Sequence, residues 1–376
     1  MERKESGPRP SLRTRALMLT LFLRVVYSVF AAAAALIQTV NWRLVHSNAL
    51  TENLPAPDHS WRYLLLGVWN RFDTLWYLHI ATHGYDRPDA VVFFPLYPGL
   101  IRLVSLLIPP MAAALLLSTL AAFFLFWGLQ ELLIGDQPPA LVTQSVWLCG
   151  CWPAGFVFFA GYPESLLAAL VIWSLFMASK DRWLAAAGLG IAAALTKAVG
   201  VVVVVPLMVM ALRQRKVTSL AVLLIPATAA GFLGYMHWAG HQGLVTAYAQ
   251  YWRTFTALPW TTLSIGLREL LREPNAVLLL NLITVILISV LTVISRLRIE
   301  YILFSTAVIF VFLCKETAPP LQSMMRYQLI VFPAFIGLAR LLQGSWLRAR
   351  WKMVCAASLV INLGLLWLFL GWSQVV

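Results

Sequence analysis

Apolar residues in this chain run together in long blocks and do not alternate with polar ones. Such blocks occupy residues 16–38, 111–133, 140–160, 164–179, 183–196, 199–212, 217–239, 275–295, 299–314, 327–342 and 353–373. A helix needs roughly 20 such residues to cross the hydrocarbon core of a bilayer, so the pattern predicts about eleven membrane-spanning helices. The two shortest blocks, 183–196 and 199–212, flank "TKAVG" and read either as tilted spans or as one broken helix. A transmembrane β-barrel would show short alternating segments instead. The expected fold class is therefore all-α, a polytopic transmembrane helical bundle. No internal repeat or low-complexity linker divides the chain, so residues 1–376 form one expected domain.

Polar positions between the blocks set the sidedness. Arg3, Lys4, Arg9, Arg13 and Arg15 precede the first block, Lys180 and Arg182 follow the fourth, and Arg213, Arg215 and Lys216 follow the sixth. Arg296 and Arg298 follow the eighth, and Arg348, Arg350 and Lys352 precede the last. Cytoplasmic loops are rich in Lys and Arg, and with the N-terminus inside every one of these clusters falls on the cytoplasmic side. The basic start, "MERKESGPRPSLRTRALM", has no convincing cleavage site after it and reads as a cytoplasmic tail before a retained first span. Counting "FFPLYPGLIRLVSLLIPP" as a further span would invert the later clusters. Residues 91–110 are therefore expected to form a juxtamembrane or re-entrant helix on the outer face, which suits Pro95, Pro98 and Arg102. The outer face then carries two large loops, 40–110 and 240–274, and three short turns, 161–165, 196–200 and 315–327.

Composition agrees with a membrane protein. Hydrophobic residues make up 61% and charged residues 11%, against roughly 25% charged in soluble domains. The net charge of +13 comes from the loop clusters, so no nucleic-acid partner is expected. Cys149, Cys151, Cys314 and Cys355 lie in apolar stretches and read as small buried hydrophobes. His79 and His83, like His237 and His241, share a helix face, but no zinc motif surrounds them. No metal and no cofactor is expected. Arg24, midway along the first block, should face the bundle interior and meet a lipid head or a structural partner. Trp42, Trp61 and Trp238 read as an interfacial belt, "QYWRTF" at 250–255 as an amphipathic outer segment, and Asp86 and Asp89 as a solvated turn.

With only 15 acidic residues, carboxylates at span ends carry information. Asp73 and Glu164 lie in two outer loops, and Lys197 and Arg326 in two others. Such a set suits group transfer from a lipid-phosphate donor. A carboxylate takes the proton of an attacking hydroxyl, and cations hold the departing phosphate. Each residue also has a plainer role. Asp73 can cap the following helix, Glu164 can complement a helix dipole, and Lys197 and Arg326 can snorkel to the interface.

"RFDTLWYLHIATHGY" followed by "VFFPLYPGL" resembles the first luminal loop of the PIG-V family of mannosyltransferases, and more broadly of GT-C glycosyltransferases. "WPAGFVFFAGYPESL", "ALTKAVG" and "SMMRYQLIVFP" resemble that family's later motifs in the same order. The resemblance implies a GT-C-type bundle that inverts the anomeric centre as it moves a sugar, expected to be mannose, from a polyprenyl-phosphate donor. It places the reaction on the outer face of a membrane, here the inner membrane of a bacterium, and Asp73 as the catalytic base. It gives Lys197 and Arg326 to the donor phosphate. Glu164, Tyr162, His79 and Tyr327 are expected to bind substrate or support the site. Lys197 stands where the family tends to have arginine, which makes bidentate phosphate binding there less secure. The partners implied are a lipid, glycan or protein acceptor, membrane lipids and a partner subunit in some arrangements. A transporter or lipid flippase, or a non-catalytic subunit of a glycosylation complex, would share the bundle. A transporter would be expected to show inverted repeats and charges near the midplane.

Overall fold

The computed structural model describes residues 10–40, 45, 50, 51, 54, 58–344 and 350–373. Arg3, Lys4, Arg9, Trp42 and Arg348 lie outside the described residues. The first helix, α1 (Leu12–Ile37), starts from Ser11, whose hydroxyl accepts the Thr14 N–H. Its buried stripe runs Ala16, Leu19, Thr20, Leu23, Tyr27, Ala31 and Ala34, while Leu17, Leu21, Phe22, Val25 and Val29 stay exposed. An apolar face buried in protein with an equally apolar face left outside is the pattern of a helix bordered by lipid.

The first large loop carries α2 (Trp61–Leu65), α3 (Asp73–His83) and α4 (Leu96–Val104). The body continues with α5 (Pro110–Leu133), α6 (Pro139–Gly150), α7 (Glu164–Ser179), α8 (Trp183–Thr196), α9 (Val204–Gln214) and α10 (Leu224–Trp238). The second large loop folds as α11 (Leu244–Trp252), strand β1 (Thr254–Thr256) and α12 (Pro259–Arg272). Then follow α13 (Ala276–Ile294), α14 (Ile299–Leu313), strand β2 (Lys315–Thr317), α15 (Met324–Tyr327), α16 (Phe332–Leu341) and α17 (Trp351–Leu370). The strands β1 and β2 pair antiparallel, with Thr254 opposite Thr317 and Thr256 opposite Lys315. This ribbon is a small exception to the all-α expectation.

Among the described residues, five helices are long and apolar enough to cross a membrane: Leu12–Ile37, Pro110–Leu133, Val217–Trp238, Ala276–Ile294 and Trp351–Leu370. Met324–Ile330 and Phe332–Leu341 make a sixth if the 88° bend between them lies within one span. Four more apolar helical stretches are shorter: Glu164–Ser179, Trp183–Thr196, Ala198–Gln214 and Ile299–Leu313.

Three local expectations change. Block 140–160 is not one helix: α6 ends at Gly150, Ala154 adopts a left-handed conformation, and a 3₁₀ turn runs Gly155–Phe159. Pro153 has no N–H to continue the helix, and Gly155 sits against the Gly150 carbonyl, where a Cβ would lie 2.7 Å away. Blocks 183–196 and 199–212 are not one broken helix. Lys197 is extended, and the following 3₁₀ turn, Ala198–Val203, folds back onto α8. In the stretch 91–110 the helix α4 has nine residues. At about 1.5 Å per residue it is too short to cross a bilayer. It buries Tyr97, Pro98 and Ile101 and leaves Arg102 and Leu103 outside.

Lys216 pairs with Asp181, Arg213 with Glu300 and Arg298 with Asp136. Arg340 donates to the Ser295 carbonyl and to Gln137, and Arg13 lies over the Trp127 ring. Three of the basic residues that flank the apolar blocks thus each have an acidic partner from another part of the chain. Asn362 of α17 donates to the Tyr27 hydroxyl (2.9 Å) and the Trp152 carbonyl (2.7 Å) and accepts the Phe156 N–H (3.2 Å). A fully buried amide with its partners met ties α1, α17 and the 155–159 turn together.

Candidate active site

The chain enters α3 through Phe72, which has φ 46°. Asp73 is the first helical residue, and its side chain does not cap the helix. Thr74 packs on Gly161, where a Cβ would lie 2.6 Å from the threonine methyl, so the start of α3 sits directly on the 161–163 turn. The Asp73 N–H donates to the Tyr162 hydroxyl at 3.3 Å. Arg71, buried just before, donates to the Leu370 carbonyl at 2.8 Å and so pins the loop to the end of α17.

Four segments meet here. Arg326 Nη1 donates to Asp73 Oδ2 at 2.7 Å. Lys197 Nζ donates to Glu164 Oε1 at 2.7 Å. Arg326 Nε lies 3.4 Å from the same Glu164 oxygen, within ion-pair reach but without hydrogen-bond alignment. Glu164 and Arg326 are each 5% exposed, whereas the Asp73 side chain is 21% exposed. Glu164 opens α7 after Pro163, where the dipole favours a carboxylate. Asn281 of α13 holds α15 in place by accepting the Met325 N–H at 3.1 Å.

Aromatic rings spread the positive charge. Tyr327 stacks on Phe312 (4.4 Å, 7°) and its hydroxyl accepts from Arg326 Nη2 at 3.3 Å. Lys197 lies 4.9 Å and Lys315 5.3 Å from the Tyr327 ring centre. Lys315 also lies 4.3 Å over Tyr248, and Arg326 5.2 Å over Tyr162. Burial works against the Lys315 charge, but Tyr248 and Tyr327 favour it more, and its pKa sits above the ordinary lysine value.

The cluster forms one wall of a cavity of about 600 Å³ that Asp73, Trp76, Tyr248, Trp252, Lys315 and Arg326 line. A second, more apolar groove of about 190 Å³ lies alongside, between Leu244, Val245, Phe255, Val311 and Phe312. Lys315 and Tyr248 border both. Among the described residues Glu164 Oε2 and Arg326 Nε have no hydrogen-bond partner, and the two residues border a space of about 10 Å³, which is close to the volume of one water probe.

The structure therefore brings together Asp73, Tyr162, Glu164, Lys197, Arg326 and Tyr327, six of the residues singled out in the sequence. It does not bring His79. Six positions along α3 from Asp73 it faces away, stacked on His83 (4.7 Å, 16°) and bonded to Asp86 at 2.7 Å. Burial pushes the Asp86 carboxyl upward, but the His79 hydrogen bond, the His79 and His83 charges and a backbone hydrogen bond together outweigh it, and the carboxyl sits below its ordinary value. Arg24 is engaged in the interior, 2.7 Å from the Phe159 carbonyl and 5.5 Å over Trp69. Lys315, Tyr248 and Trp252 were not singled out. Their place depends on pairing of β1 with β2, and the only sequence signal was the amphipathic look of 250–255. Comparison with protein-family models, with curated proteins and with solved structures finds no match to this chain.

Proposed function

We propose that this chain is a GT-C-type glycosyltransferase that moves a sugar, expected to be mannose, from a polyprenyl phosphate to an acceptor hydroxyl, with inversion. One observation carries the reading. Asp73 has one carboxylate oxygen held by Arg326, and among the described residues its other oxygen has no hydrogen-bond partner and borders a cavity with room for a sugar and an acceptor. The apolar groove beside that cavity suits a lipid chain.

In this mechanism the acceptor oxygen attacks the anomeric carbon from the face opposite the phosphate. Its proton passes to Asp73, the bond between the anomeric carbon and the phosphate oxygen breaks, and polyprenyl phosphate leaves. Arg326 fixes the carboxylate so that the free oxygen points to the acceptor. Glu164 offsets the charge of Lys197 and the second side of Arg326, and Tyr162 holds the start of α3. Since Lys197 and Arg326 are both engaged with carboxylates, their hold on the donor phosphate is shared with those partners.

The finer topology belongs to the same proposal. Eleven passes with the N-terminus inside leave the basic clusters in the cytoplasm and the Asp73 cluster at the outer face of a bacterial inner membrane. The pairing of Arg213, Lys216 and Arg298 with Glu300, Asp181 and Asp136, none of them a member of the Asp73 cluster, supports that polarity. The test is an assay of the purified chain with polyprenyl-phosphate mannose and a panel of hydroxyl acceptors. Release of polyprenyl phosphate coupled to mannosyl product is expected. No release with any polyprenyl-phosphate sugar would refute the reading.

A further inference from the structure

The charges of the cluster do not balance. Asp73 and Glu164 face Lys197, Arg326 and Lys315. Lys197 and Arg326 are ion-paired, whereas Lys315 has no carboxylate partner among the described residues. Lys315 is half-buried, and its neighbours are the rings of Tyr248 and Tyr327. It stands at the seam between the polar cavity and the apolar groove. The ribbon fixes it there, because Lys315 pairs with Thr256 across from β1.

We propose that Lys315 anchors the phosphate of a polyprenyl-phosphate lipid, whose prenyl chain lies in the groove of Leu244, Val245, Phe255, Val311 and Phe312. This deepens the transferase reading and rests on it for the choice of lipid. The occupant follows from complementarity. A cation with no carboxylate partner among the described residues, at the mouth of an apolar groove, suits an anion joined directly to a long apolar chain. An ammonium held over aromatic faces acts as a point charge and does not need the planar fork that arginine would offer. Phe255 is 52% exposed and Val245 69% exposed, so the groove is open sideways and a long chain can continue into the bilayer. The sugar on the other side of the phosphate would then point into the cavity that Asp73 borders.

The test is equilibrium binding to the purified full chain in nanodiscs, with three probes: undecaprenyl phosphate, undecaprenol and inorganic phosphate. The parent is expected to bind undecaprenyl phosphate most tightly. Lys315→Met keeps the apolar stem and removes the charge, so it is expected to weaken undecaprenyl phosphate about tenfold or more while undecaprenol changes little. Lys315→Arg should recover most of the loss. Phe255→Gln, a second variant that makes the groove wall polar and leaves the ammonium unpaired, should weaken both lipids. Parent-like affinity in Lys315→Met would overturn the proposal, and so would inorganic phosphate binding as tightly as the lipid phosphate. If Lys315→Met binds like the parent while the parent transfers sugar, this inference falls alone. Lys315-dependent lipid-phosphate binding in a chain that transfers no sugar would keep it and refute the transferase reading.

Discussion

At the scale of the residue, Asp73 has two separable jobs. Its carboxylate accepts from Arg326, and in the proposed reaction it also takes a proton. Asparagine can accept from Arg326 but not take the proton, so Asp73→Asn should fold, with only a small loss of thermal stability from the missing counter-charge to Arg326. Its transfer rate should fall by about 10² to 10⁴, the usual share of general-base catalysis. Turnover at saturating donor measures this, and near-parental turnover would remove Asp73 from the chemistry. Glu164 behaves differently because it is the buried anion between two cations. Glu164→Ala leaves Lys197 and Arg326 without it, and breaking a buried pair typically costs about 3–5 kcal/mol. Thermal unfolding in detergent should show the loss, and Glu164→Gln, which keeps an acceptor for Lys197, should show a smaller one. Asp73, Glu164, Lys197 and Arg326 were legible in the sequence because charges at the ends of apolar blocks are few. Lys315 was not, because its meaning comes from rings on α11 and α15 that only the folded chain brings to it. His79 was misread because nearness in sequence to Asp73 is not nearness on a helix face.

At the scale of the element, the position of Lys197 depends on a tight turn more than on either flanking helix. Gly200 donates its N–H to the Lys197 carbonyl at 2.8 Å and lies against the Ala193 backbone. A Cβ at Gly200 would overlap the Ala193 carbonyl, so the 3₁₀ turn would have to lift off α8. Gly200→Ala is therefore expected to destabilise by about 1–3 kcal/mol, as overpacking does, and to lower transfer by moving Lys197 off Glu164. Gly188 is the control on the same helix, since a Cβ there meets nothing within 4 Å. Gly188→Ala should leave transfer unchanged and stabilise by about 0.5–1 kcal/mol, because glycine loses more freedom than alanine in a helix. Equal melting temperatures for the two variants would refute the account of the turn. Apolar blocks made most helices readable, since length and hydropathy set them. The break after Gly150 and the return at Lys197 were harder, because each depends on close backbone approach across a turn. The β1–β2 ribbon joins two loops far apart in the chain, and no local pattern announces such a pairing.

At the scale of the whole molecule, the question is which way the bundle faces. Among the described residues five or six helices have the length to cross a bilayer unaided, and the shorter apolar ones need tilt, local thinning of the bilayer or cover from neighbours. Length alone therefore leaves the number of passes open, and charge supplies the missing constraint. Arg213 and Lys216 pair with Glu300 and Asp181, which leaves Arg215 exposed among the basic clusters. His83 and Gly243 are exposed in the two large loops that border the Asp73 cavity. Cys149, Cys151 and Cys355 are buried, so a background with Cys314→Ser should label weakly. In that background, His83→Cys and Gly243→Cys are expected to react with an impermeant maleimide in intact cells, and Arg215→Cys only after the cells are opened. Parity decides the result: one pass more or fewer between residues 83 and 215 would expose Arg215→Cys to the reagent together with His83→Cys. Labelling of Arg215→Cys alone would instead turn the whole bundle over and put the Asp73 cluster in the cytoplasm, where an outer-face lipid-phosphate sugar could not reach it.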